Sequence, residues 1–184
     1  MSIGITIATV MFCFYLYQYM TERRQAKEED MNVEKCLDER TTTELVLSTL
    51  RKIGCEPEIE DQENHTWVFF TYQGEHFTIN CHHDSRYITI FDTWWFCKSI
   101  YCDVEEIADI HKVTNLANQY VGCTLLYTVN KEIEQIGVHG KSIILFIPQI
   151  PQIDQYLIEN LNDFFRAQRF VFTELEKCKV LEIK

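Results

Sequence analysis

Cys81-His82-His83-Asp84 places four metal-ligand side-chain types in consecutive positions. Thiolate, imidazole and carboxylate all bind zinc, but a zinc site needs about four ligands converging in space. Consecutive residues of a strand point to opposite faces, so Cys81 and His82 should diverge. His83 and Asp84 fall at a turn and could bend back, with Cys97 and Cys102 as further ligands. The spacing matches no known ligand pair. A buried cysteine followed by a polar turn accounts for the run, so no metal and no other cofactor is expected.

A second chemistry would use Cys97 or Cys102 as a nucleophile beside His82, His83 or His111. Nothing in the local pattern around either cysteine would hold a thiolate. Gly140-Lys141-Ser142 echoes the end of a phosphate-binding loop, but it lacks the earlier glycine and precedes a strand. Glu105-Glu106 sits in the first turn of a helix, where the dipole favours acids for structural reasons. The expectation is therefore a chain that is not an enzyme. The alternative is a metal- or thiol-dependent sensor or enzyme using Cys81, His82 and His83.

Trp94-Trp95-Phe96 is a different kind of signal. Three successive bulky aromatics cannot all face one core layer, and surface aromatics mark contact sites. Ile100-Tyr101 extends the patch. Trp94, Trp95, Phe96 and Tyr101 are the residues expected to meet a protein partner or a membrane surface.

Residues 1–20 contain no Asp, Glu, Lys, Arg or His. A helix of that length is about 30 Å long, which matches a bilayer's hydrocarbon core. Its apolar residues include Ile3, Ile5, Ile7, Val10, Phe12, Phe14 and Leu16, and Tyr15, Tyr17 and Tyr19 form an interfacial belt at one end. Arg23, Arg24 and Lys27 follow directly. The positive-inside bias then puts the remainder in the cytoplasm, as a single-pass protein of the inner membrane. No basic residue precedes the apolar run and no small-residue cleavage site follows it, which argues against a signal peptide. Gly4 and Ala8 form a small-xxx-small pair, and with exposed sheet edges they offer a route to a homodimer.

The formal net charge is −11, all of it after the span, which disfavours nucleic acid as a partner. The eight cysteines show no regular spacing, and several lie in apolar runs, as buried thiols of a reducing compartment do. Residues 21–40 are a charged juxtamembrane linker or helix, and residues 41–184 suit one domain.

Within 41–184, Thr41-Thr42-Thr43-Glu44 is a capping box opening a helix that Gly54 stops. His65–Tyr72, Glu75–His82 and Arg86–Phe91 read as a meander of strands, with a weaker run over Glu56–Glu60. Asp103–Glu106 caps a second helix ending near Tyr120. Cys123–Val129 is a strand, Gly137 and Gly140 mark a turn, and Ser142–Ile147 is another strand. After Pro148 and Pro151, a last helix carries Ile153, Leu157, Leu161, Phe165, Phe172 and Leu175 to about Lys177. The expected class is α+β, in the order α-β-β-β-α-β-β-α. A five-stranded antiparallel sheet would carry helices mainly on one face.

This succession, over roughly residues 41–177, resembles the fold shared by type III secretion chaperones and the YbjN family of bacterial proteins. The closest local likeness runs through Val113–Asn118, Cys123–Thr128, Lys141–Ile147 and the helix with Phe164, Phe165 and Phe170. The resemblance implies a non-catalytic module that binds proteins, and it supplies no catalytic residues. The N-terminal span departs from the usual soluble members.

Overall fold

The computed structural model describes residues 41–93 and 95–182, the last four by backbone alone. The anchor residues, Arg23, Arg24, Lys27 and Trp94 lie outside the described residues. No described helix is long and apolar enough to cross a membrane.

Helix α1 spans Thr42–Lys52. The Thr41 hydroxyl accepts from the Glu44 N–H at 3.2 Å, and the Glu44 carboxylate accepts from the Thr41 N–H at 2.9 Å. This reciprocal pair satisfies two otherwise orphaned donors. The helix stops where Gly54 takes φ +86°, a left-handed conformation that glycine adopts without strain.

Seven strands follow with two more helices: β1 (Glu58–Asp61), β2 (His65–Tyr72), β3 (Glu75–His82), β4 (Tyr87–Asp92), β5 (Phe96–Ser99), α2 (Val104–Ala117), β6 (Thr124–Asn130), β7 (Gln135–Leu145) and α3 (Ile153–Glu182). All pairings are antiparallel. The sheet runs β1-β2-β3-β4-β7. β7 is long enough to pair β4 with its C-terminal half and β5 with its N-terminal half, while β6 lies along its other flank.

One sheet face is buried. Val68, Phe70, Phe77, Ile79, Cys81, Ile88 and Ile90 meet Leu45, Val46 and Leu50 of α1 and a stripe on α3. That stripe is Leu157, Leu161, Phe164, Ala167 and Val171, at the three-to-four-residue spacing that keeps side chains on one helical face. The Phe164 ring stands edge-on to Phe77 at 5.4 Å. The opposite sheet face has no helix over it among the described residues.

The α+β class and the antiparallel sheet agree with the sequence expectation, but the strand count does not: there are seven strands, not five. β1 is solvent-exposed along its whole length, so it shows no alternation to read. β5 hides behind a break in the β4 pattern. Phe91 pairs Lys141 and Phe96 pairs Val138, so four residues of one strand face two of β7. This bulge bends the chain and frees the Gly140 N–H, which donates to the Asp92 carboxylate. Gly137 and Gly140 are therefore not a turn; they lie inside β7, and residues 131–134 make the turn. A Cβ on Gly140 would come within 2.6 Å of Phe164 Cδ1, which explains the missing side chain. The last helix continues past Lys177 to Glu182.

Candidate functional site

β5, α2 and α3 enclose a groove of about 230 Å³ beside the bulge. Phe96 and Lys98 come from β5, where alternation points both toward the helices. α2 gives Glu106, Asp109 and Ile110, spaced to share one side of that helix, and α3 gives Phe172, Leu175 and Glu176. Phe96, Ile110, Phe172 and Leu175 make an apolar floor. Trp95 packs on it from the bulge, its ring 5.6 Å from Phe172, and Phe96 lies 6.2 Å from the same ring. Phe172 remains 44% exposed despite these contacts.

The rim is acidic. Lys98 Nζ lies 3.1 Å from Glu106 Oε1. Both groups are over a third exposed, so this pair contributes only a few tenths of a kcal/mol, roughly 1 at most. It engages Lys98, the cation among the described residues that line the groove, while Asp109 and Glu176 line it as acids. Nearby, burial and then the Asp109 carboxylate push the Cys178 thiol above its ordinary range.

Behind the groove the bulge holds a buried acid. Asp92 accepts from Gly140 N–H through Oδ1. Trp95 Nε1 and Gln168 Nε2 come near enough to favour its charge, but neither makes a hydrogen bond of normal geometry. Oδ2 and both N–H groups are thus left unpaired. Burial dominates and raises Asp92 to about 6.

Of the residues expected to meet a partner, Trp95 and Phe96 come together here. Tyr101 stands apart, 74% exposed, with its hydroxyl donating to Glu134 Oε1 at 3.0 Å. Phe172, Ile110 and Leu175 read in sequence as core positions of amphipathic helices. Only the groove between α2 and α3 turns them into a binding floor, and Asp109 and Glu176 had no sequence signal.

His82 and His83 line one pocket with Thr66 and the start of α1. Cys81 is buried on the helix face, its thiol pushed up to about 12 by burial. His82 is exposed on the other face, Asp84 is exposed at the turn, and His83 Nε2 lies 3.3 Å from the Thr66 hydroxyl. No three metal-ligand types converge among the described residues. Cys97 is exposed on β5, Cys102 is half-buried and close enough to Tyr127 to act on it electrostatically, and His111 lies against the same Tyr127 ring at 4.1 Å.

No protein-family model matches the chain, and no curated protein matches it. Among solved structures, an uncharacterised protein from Methanothermobacter thermautotrophicus superimposes with a TM-score of 0.55 at 15% identity. The match covers 74% of this chain and 97% of that one, and it shows a similar fold.

Proposed function

We propose that this chain is a membrane-anchored, non-catalytic protein-binding module, an adaptor or chaperone-like subunit. The observation that carries the proposal is the groove: an aromatic floor of Phe96 and Phe172, flanked by Trp95 and rimmed by Asp109 and Glu176. An exposed apolar floor with surplus negative charge suits a partner segment that offers one large apolar side chain between lysines or arginines. The likeness to the YbjN and type III secretion chaperone fold, read from the sequence, belongs to this proposal. In this proposal residues 1–20 hold the module at the inner membrane, and Arg23, Arg24 and Lys27 keep it on the cytoplasmic side.

A photo-activatable amino acid at position 172 of the full chain, cross-linked in intact cells, tests the groove. A discrete protein adduct that Asp109→Lys/Glu176→Lys abolishes is expected. Adducts that persist unchanged in that double variant would remove the groove from binding. Labelling Cys36 from either side of the membrane tests the topology, and labelling from outside only would reverse it.

A further inference from the structure

We infer that the face of the sheet that carries no helix among the described residues is a docking surface for a second copy of this chain, packed face to face about a two-fold axis parallel to the strands. The face lies opposite the groove, so this inference is independent of the function proposed above.

The face is apolar where an uncovered antiparallel sheet is usually polar. Phe69 is 38% exposed, Tyr87 56% and Ile143 60%, and Trp67 and Phe91 lie half-buried among them. The Trp67 and Phe91 rings are 6.2 Å apart. This is one contiguous patch rather than scattered side chains, the kind that marks an interaction site.

The register of the sheet identifies the occupant. One row crosses six strands in the order Glu58, Phe69, Thr78, Phe91, Lys141, Thr124, and its first five positions concern the dimer. Charge, aromatic, small, aromatic and opposite charge are arranged symmetrically about Thr78. A two-fold axis along β3 lays this row on its own reverse. Glu58 then meets Lys141 of the second copy, Phe69 meets Phe91, and Thr78 meets Thr78. The next row, Glu60, Trp67, Asn80, Thr89, Ile143, sets Trp67 over the smaller Thr89, Asn80 over itself and, at the rim, Glu60 beside Ile143. A self-complementary surface is what a closed two-fold dimer requires. Lys141 Nζ stands 5.7 Å from the centre of the Phe91 ring, which places it over this face.

Strands about 4.8 Å apart and rows about 7 Å apart give roughly 340 Å² of projected face for the two rows that run from β1 to β7. Aligned sheets pack at about −30°, an offset that long Glu and Lys side chains can span.

Sedimentation velocity of the full chain in mild detergent provides the test, with thermal unfolding as a check on folding. The wild-type chain should be dimeric. Phe69→Glu and, separately, Ile143→Glu should be monomeric with unchanged melting, since both side chains already meet solvent. Glu58→Lys and Lys141→Glu should each weaken the dimer tenfold or more, and the double charge swap should restore it to within threefold of wild type. A monomeric wild type would overturn the inference. So would assembly that survives Phe69→Glu, as association through residues 1–20 would, or a double swap weaker than either single variant.

Discussion

Asp92 makes the stability of this fold depend on pH in an unusual direction. Burial raises its folded-state value to about 6, against an ordinary 3.8. The folded chain therefore binds this proton more tightly than the unfolded chain, so protonation stabilises the fold. The contribution is fully present below the unfolded value and is lost as pH rises through about 6. The gap between the two values corresponds to about 3 kcal/mol in total, of which about 2 kcal/mol is gained on going from about pH 7.5 to about pH 4.5. Asp92→Asn keeps an oxygen for the Gly140 N–H and cannot ionise. Urea unfolding of both full-length proteins over this range should show wild type gaining about 2 kcal/mol on the variant as pH falls. A difference that stays constant within about 0.5 kcal/mol would mean that Asp92 ionises as an exposed carboxylate does, and that the bulge is open to water. A difference that grows in favour of the variant on acidification would contradict the desolvation argument outright.

Four further outcomes follow from the same structure. Gly140→Ala should lower stability by about 1–3 kcal/mol in thermal melts, because its Cβ would meet the buried Phe164 ring at 2.6 Å. Gly74→Ala has open space around it and φ +88°, so it should cost only about 1 kcal/mol through backbone strain. Thr41→Ala should cost about 1 kcal/mol by removing the side-chain half of the α1 cap. Burial pushes both Cys81 and Cys123 to about 12. Native-state alkylation followed by peptide mass spectrometry should therefore mark exposed Cys97 and leave those two unmodified until the protein unfolds.

Much of the fold was legible because its elements carry strong local signals. The Thr41–Glu44 cap and the Leu157–Leu161–Phe164 spacing each have one structural meaning, and the observed helices follow them. The misread places are those where a long-range contact overrides the local pattern. Gly140 looks like a turn residue until Phe164, from a helix that follows it in the chain, fills its missing side chain. β5 cannot be seen without its partner β7, since four residues between two β-ladders look like a loop. His65–Tyr72 carries apolar residues on both faces. The described structure covers only one side, and that difference is the basis of the proposed dimer face. In the groove, the Trp94-Trp95-Phe96 run was a usable signal. Phe172 was not, because a helix's apolar stripe does not say which of its members the core leaves uncovered. The acids Asp109 and Glu176 are ordinary surface residues until α2 and α3 are brought side by side.

Selection of binders from a random-peptide library on the full-length, detergent-held chain tests the central claim most directly. The account predicts enriched sequences with a large apolar residue flanked by lysine or arginine, whose binding is lost in Phe172→Glu and weakened at least tenfold in Asp109→Lys/Glu176→Lys. Enriched sequences that are acidic, or that bind Phe172→Glu as well as wild type, would contradict it.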